Sequence, residues 1–190
     1  MIYLDTNVII SLLAEDSGSA AAEAWWAAQS VPLAVSSWVR AEFYSHIGLR
    51  HRKAELTARQ AAAYVDEFDS LVATSISLLK ASDDAVLRAS TWLRSSDCSM
   101  QTADAVHLAI ALENEAAAIA TFDVRFASAI EKLRIGGLKV ITLPVAGKLN
   151  QIQQKLASYN VTERDVAKAV KWARKRKTAE REKAPRLTVR

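Results

Sequence analysis

Four carboxylates occupy related positions in this sequence. Asp5 and Asp123 each come directly after a short apolar run, at the point where a buried strand would leave its sheet. Glu42 and Asp104 each lie in the first turns of a predicted helix. In an open α/β sheet, strand ends and the helix N-termini beside them meet at the carboxyl edge, where ligands bind. The sequence therefore predicts that these four side chains converge.

Such a group of acids has a restricted chemistry. Carboxylates a few ångströms apart cannot all remain ionised unless cations compensate them. Mg²⁺ and Mn²⁺ prefer carboxylate and water oxygens, and two such ions about 3.5 to 4 Å apart can promote in-line hydrolysis of a phosphodiester. The residue types therefore favour a one-metal or two-metal hydrolase site.

Taken singly, each acid has a second interpretation. Asp5 could instead cap the helix that follows it, and Asp104 could respond to the helix dipole. Glu42 is either a solvated side chain or a ligand. The three histidines are not needed as nucleophiles: His46 and His51 are expected on a helix surface, and His107 is expected to be a satisfied core histidine or to support a ligand.

The hydrophobic pattern predicts the elements that carry these acids. Apolar runs alternate with amphipathic helices, which indicates an α/β domain with a parallel sheet covered on both faces. Strands are predicted at 2–4, 32–36, 76–79, 118–121 and 138–143; helices are predicted at about 6–14, 19–29, 38–47, 57–74, 83–94, 99–112 and 124–134.

Composition limits the class of protein. The 190 residues are 51% hydrophobic, as in a globular chain, and Cys98 is the single cysteine, so no internal disulfide can form. No apolar run reaches 18 residues, and Asp5 interrupts the first one too early for a signal peptide. We expect one cytoplasmic domain with an appendage and no membrane contact.

Charge is distributed unevenly along the chain. Residues 1–150 hold 13 Lys and Arg against 17 Asp and Glu, whereas residues 151–190 hold 12 against 4. An acidic body therefore carries a basic C-terminal segment. Such a segment can contact nucleic acid or fold back onto the acidic body.

Four sequence segments resemble a known family. YLDTNVI, RAEF, TADAVHLAIA and ATFDVRF are similar, in order and approximate spacing, to the four motifs of PIN-domain ribonucleases, most closely the VapC-type toxins of toxin-antitoxin pairs. The resemblance covers residues 1 to about 145. It implies a PIN-like three-layer α/β/α fold with a central parallel sheet, and cleavage of RNA.

The resemblance also implies roles for individual residues. Asp5, Glu42, Asp104 and Asp123 would bind Mg²⁺ or Mn²⁺ as the catalytic site; Thr6, Asn7 and Thr121 would support them, and Arg125 would approach phosphate or pack its stem on the domain. Members of the family usually form homodimers and often cut tRNA or ribosomal RNA. An antitoxin partner is implied as well.

The chain departs from the family after about residue 145, so we divide it into a nuclease domain, 1–145, and a basic helical extension, 146–190. VTERDVAKAVKWARK is similar to the C-terminal regions of some VapB-type antitoxins. The extension, natural or fused, could then inhibit the acidic site in cis. Its cations could equally contact RNA or be merely solvated; the candidates are Arg174, Lys175, Arg176 and Arg186.

Two other functions compete with this interpretation. A HAD-type phosphatase also begins with a strand ending in Asp, but it needs a second Asp where this chain has Asn7. A PIN-like RNA-binding protein without turnover is the other rival. Such a protein would be expected to have lost a carboxylate, and all four are present.

Overall fold

The computed structural model describes residues 1–95, 99–133 and 135–144. These residues form a five-stranded sheet and seven helices, in the order β1 (Ile2–Leu4), α1 (Thr6–Leu13), α2 (Ser19–Ala27), β2 (Leu33–Ser36), α3 (Ser37–Arg52), α4 (Ala58–Thr74), β3 (Ser77–Leu79), α5 (Asp83–Leu93), α6 (Thr102–Glu113), β4 (Ala118–Thr121), α7 (Val124–Leu133) and β5 (Lys139–Thr142). All strand pairs are parallel, in the order β3, β2, β1, β4, β5. The predicted α/β class and parallel sheet are confirmed.

Strand β1 lies at the centre of the sheet. The chain runs from β1 through β2 to β3 on one side and then returns to β4 on the other, so the order reverses between β1 and β4. Leu4 pairs with Ala120, and the amide of Asp5 donates to the carbonyl of Ala120 at 3.0 Å. The carboxyl ends of β1 and β4 are therefore level at the switch point, where open sheets bind ligands.

The core extends across the three central strands and α6. Every residue of β1, β2 and β4 is buried, as expected for apolar strands covered on both faces. In α6 the buried stretch runs from Ala105 to Ala111. His107 and Ala111 are both buried, because α6 packs between α5 and the sheet.

Helix α3 begins at Ser37, and the hydroxyl of its N-cap residue Ser36 accepts a hydrogen bond from the Val39 amide at 3.2 Å. Phe43 stacks on Phe68 of α4, with ring centroids 4.8 Å apart, so α3 is fixed against a second helix. It continues to Arg52, five residues past the predicted end.

No helix in the described segments is long and apolar enough to cross a bilayer. The extension predicted at 146–190 lies outside the described residues.

Candidate active site

A cavity of about 360 Å³ opens at the carboxyl edge of the sheet. All four predicted carboxylates line it: Asp5, Glu42, Asp104 and Asp123. Thr6, Asn7 and His107 line it too. Its walls thus come from segments more than a hundred residues apart in the sequence, because β1 and β4 are neighbours in the sheet.

Asp5 occupies the N-cap position of α1, but its side chain makes no capping hydrogen bond. Its Oδ2 atom instead accepts from Thr121 Oγ1 and from Asn7 Nδ2, both at 2.6 Å. Asn7 and Thr121 are themselves joined at 3.0 Å, and Asn7 Oδ1 accepts from the amide of Phe122 at 3.0 Å. The side chain of Asp5 is therefore held toward β4 by polar groups.

Glu42 is held in a similar way from the other side of the cavity. Its Oε2 atom accepts a hydrogen bond from Thr6 Oγ1 and lies 2.8 Å from His107 Nε2. The Glu42 side chain keeps 27% of its surface exposed, whereas that of His107 keeps 3%. The carboxylate thus faces the cavity while a buried imidazole and a hydroxyl fix it from behind.

Asp123 and Asp104 are anchored by backbone amides. Asp123 Oδ1 accepts from the amides of Arg125 at 2.7 Å and Phe126 at 3.2 Å, at the start of α7. Asp104 Oδ2 accepts from the amide of Gln101 at 3.2 Å, which is a capping-box contact at the start of α6. The capping role considered for Asp104 is therefore real, but it uses one oxygen only.

The four acids share one pattern. In each, the hydrogen bonds described above go to a single oxygen, and Asp5 Oδ1 lies 3.5 Å from His107 Nε2. Carboxylates fixed in this way suit monodentate binding of a hard cation.

The four carboxylates do not form a complete metal-coordination site in the described part of the chain. Within the described segments, no group of three or more acidic, histidine or cysteine side chains stands in a geometry that could hold a metal ion. The donor set therefore fits a hard cation in its chemistry, while the oxygens remain apart in this conformation.

Burial and neighbouring charges shift the pKa values of two acids in the cavity. Burial raises the pKa of the Asp104 carboxyl, and the charges of Asp5 and Asp123 raise it further against the Gln101 amide. Burial alone would also raise the pKa of Glu42, but the hydrogen bond and charge of His107 hold that pKa below its ordinary value. Acids that raise one another's pKa gain from a shared cation.

His107 is the inner wall of the site. Its ring is buried, and Nδ1 lies 2.9 Å from the hydroxyl of Tyr3, which in turn lies 2.8 Å from Ser36 Oγ. Burial would lower the pKa of His107, but the hydrogen bond to Glu42 and the nearby carboxylates leave it raised. Sequence analysis anticipated a buried or supporting histidine, but it gave no sign that Tyr3 and Ser36 would be its partners.

The remaining predicted residues are placed as follows. Thr6, Asn7 and Thr121 all donate hydrogen bonds to the carboxylates of Asp5 or Glu42. Arg125 is exposed and is not part of the cavity wall; only its amide contacts the site, through Asp123. The approach of its guanidinium to phosphate stays a prediction. Arg174, Lys175, Arg176 and Arg186 lie outside the described residues.

Part of the cavity rim was not predicted. Ser45, His46 and Leu49 line it with Glu42, so His46, which was expected on a helix surface, also borders the cavity. The signal was available, because positions 42, 45, 46 and 49 share one helix face. His46 and Leu49 also line an adjoining cavity of about 340 Å³ that extends to Asp16 and Lys53.

The fold and the cavity together define a parallel α/β domain with an acidic site at the switch point of its sheet. The sequence profile of the PIN domain matches residues 2–132. The chain therefore belongs to the PIN domain family, and the predicted membership is confirmed. No curated protein sequence matches it.

Solved structures of toxins and toxin-antitoxin complexes share this fold. Mycobacterium tuberculosis VapC20, a sarcin-ricin loop cleaving toxin, is 23% identical with a TM-score of 0.55, and the match covers 68% of this chain and 95% of that one. VapBC2 from Rickettsia felis, bound to a promoter DNA fragment, is 19% identical with a TM-score of 0.53, covering 76% and 100%. VapBC-1 from nontypeable Haemophilus influenzae is 20% identical with a TM-score of 0.53, covering 75% and 98%.

Proposed function

We propose that this protein is a metal-dependent endoribonuclease and the toxin of a type II toxin-antitoxin system. The observation that carries the proposal is the half-anchored state of the four carboxylates in one cavity. Each acid is fixed by the protein through one oxygen and leaves the other for a cation. Asp5, Glu42, Asp104 and Asp123 would hold Mg²⁺ or Mn²⁺.

A bound divalent ion would supply a more acidic water and neutralise the charge of the phosphodiester. The chain's own contribution is positional. Thr121 and Asn7 orient Asp5, Thr6 and His107 orient Glu42, and backbone amides orient Asp104 and Asp123. Pre-formed orientation of this kind lowers the reorganisation needed when ion and substrate arrive.

RNA is the substrate class that we assign, with tRNA or ribosomal RNA as the expected target. VapC20, which shares the fold, is described as cleaving the sarcin-ricin loop. The same comparison supports an antitoxin partner, because two of the similar structures are VapBC assemblies. We further propose a cytoplasmic homodimer, as is usual in the family.

The C-terminal extension gives the proposal a regulatory part. Residues 151–190 carry 12 Lys and Arg against 4 Asp and Glu, and an acidic cavity is an electrostatic match for such a segment. We propose that Arg174, Lys175, Arg176 or Arg186 docks on the nuclease domain and holds it inactive, as an antitoxin would in trans.

The central test is metal-dependent cleavage of total tRNA and ribosomal RNA. We expect the parent, or its truncation after Gly147 if the extension inhibits, to cut RNA with Mg²⁺ or Mn²⁺ and to stop in EDTA. Asp104→Asn should abolish cleavage and keep the fold by circular dichroism. Asp84→Asn, an acid in the first turn of α5, is the matched control and should cleave like the parent.

The outcomes separate the two functions under consideration. Equal cleavage by Asp104→Asn and the parent would contradict the metal assignment. RNA that is bound but never cut, with any metal and with or without the extension, would favour the RNA-binding protein without turnover.

A further inference from the structure

A buried hydrogen-bond chain connects the sheet to Glu42. It runs from the Val39 amide to Ser36 Oγ at 3.2 Å, to the Tyr3 hydroxyl at 2.8 Å, to His107 Nδ1 at 2.9 Å, and from His107 Nε2 to Glu42 Oε2 at 2.8 Å. Ser36, Tyr3 and His107, here called the relay, are all buried. Together they join β2, β1 and α6 to a carboxylate on α3.

With His107 neutral, the donors of this chain can be assigned in one way only. The Glu42 carboxylate can only accept, so His107 Nε2 carries the proton and Nδ1 must accept from Tyr3. The Tyr3 oxygen then accepts from the Ser36 hydroxyl, which accepts from the Val39 amide. Every hydroxyl donates once and accepts at least once, so no buried polar atom of the relay lacks a partner.

The opposite tautomer of His107 would leave one hydroxyl hydrogen without an acceptor. If Nδ1 carried the proton, Tyr3 would have to donate to Ser36, and the Ser36 hydroxyl hydrogen would have no acceptor among the hydrogen bonds of the described residues. A buried donor without a partner is costly. The Tyr3 hydroxyl and the Glu42 carboxylate therefore favour the same tautomer, in which His107 points an N–H at Glu42.

We infer that Tyr3 and His107 are positioning residues for metal binding: the relay reinforces the His107 tautomer that donates to Glu42 Oε2 and thereby holds this oxygen, leaving Oε1 for the cation. This inference rests on the proposed function for its link to cleavage. Partners of metal-ligating groups commonly change metal affinity or activity by 10-fold to 100-fold when they are removed.

The test begins with Tyr3→Phe in the full chain, which removes one oxygen and keeps the buried ring. We expect its dissociation constant for Mn²⁺, measured by calorimetry, to rise about 10-fold. The cleavage rate at saturating Mn²⁺ should change much less, because the ligands themselves remain. Tyr44→Phe is the matched control. Tyr44 lies on the same helix as Glu42, and the hydroxyl that the substitution removes donates to Asp69 at 2.6 Å.

A pair of substitutions at His107 separates positioning from packing. His107→Gln keeps an amide donor for Glu42, whereas His107→Leu fills the space without one. We expect the Gln variant to retain tighter Mn²⁺ binding than the Leu variant. Equal loss in both would mean that His107 serves the core alone.

The tautomer is measured directly by imidazole ¹⁵N chemical shifts of the parent at a pH where the ring is neutral. Protonation at Nε2 in the parent, together with weaker Mn²⁺ binding by Tyr3→Phe, supports the relay. Protonation at Nδ1, or equal Mn²⁺ affinity in Tyr3→Phe and the parent, overturns it. If the parent binds Mn²⁺ and shows the relay but neither it nor its truncation after Gly147 cuts RNA, the proposed function alone is overturned; if neither protein binds Mn²⁺, both proposals are overturned.

Discussion

Thr121 Oγ1 donates a hydrogen bond of 2.6 Å to Asp5 Oδ2, across 116 positions of sequence. Thr121 is the last residue of β4, and Asp5 is the first residue after β1. Parallel pairing of the two strands brings the hydroxyl and the carboxylate side by side. The orientation of one proposed ligand is therefore set by the register of the sheet.

Thr121→Val tests that relationship. The valine keeps the shape of the side chain but removes the donor to Asp5 Oδ2 and the acceptor of the Asp123 amide; of the two donors that the described residues give to Asp5 Oδ2, Asn7 remains. We expect Mn²⁺ affinity to fall about 10-fold and the free energy of unfolding to fall by about 1 to 2 kcal/mol. Calorimetry and urea denaturation measure these values.

Thr142→Val is the matched control for that substitution, because Thr142 pairs with Thr121 in the next strand and is exposed. It should leave both values within error of the parent. An equal effect of the two substitutions would mean that β propensity, and not the contact with Asp5, is responsible.

Asp104→Asn should stabilise the metal-free domain or leave it unchanged. Burial and the charges of Asp5 and Asp123 raise the pKa of Asp104, so its ionised form is disfavoured in the folded state. A neutral amide removes that repulsion and keeps an oxygen for the Gln101 amide. Thermal melting in EDTA checks this; a large loss of stability would show that Asp104 is mainly a cap. With Mn²⁺ present, the parent should be more stable than Asp104→Asn, because the parent alone gains stability from the ion.

The free energy of unfolding of the domain should depend on pH through the protonation of His46. Burial lowers the pKa of His46, and the charge of Arg50 lowers it further. A histidine whose pKa is depressed on folding does not change the free energy of unfolding at pH values above its ordinary pKa of 6.5. As the pH falls through 6.5 toward the lower pKa of the folded state, that histidine lowers the free energy of unfolding. His46→Gln should remove this loss, so the difference in unfolding free energy between the variant and the parent should grow between pH 7 and pH 5. A constant difference would contradict the depressed pKa.

Charge reversal in the extension should change the rate of RNA cleavage in a direction that depends on the role of the extension. Arg174→Glu, Lys175→Glu and Arg176→Glu, made singly in the full chain, should raise the rate of RNA cleavage if the extension inhibits. Arg186→Glu extends the series toward the C-terminus. Weaker RNA binding with no gain in rate would instead support an RNA contact, and no change in any variant would support a solvated segment.

The sequence predicted the class of fold and the convergence of the acids, because both follow from local patterns. An apolar run ending on Asp5 and another shortly before Asp123 mark strand ends, and parallel strands bring such ends to one edge. It did not predict which groups would orient the acids. Whether the Tyr3 hydroxyl meets His107 depends on how strand β1 faces α6, and no local pattern carries that information. The position of His46 beside the cavity was predictable in principle, because His46 shares a helix face with Glu42.

The side-chain anchors of Glu42 come from α1 and α6, and the relay behind one of them is rooted in β1 and β2. Fraying of α3 by itself cannot release these anchors without exposing buried hydroxyls and an imidazole. The acidic site and the central sheet should therefore belong to one cooperative unit, which native-state hydrogen exchange would detect as a shared opening free energy. A site built in this way is lost only when the fold is lost, so a metal ion bound there would leave and return without any refolding.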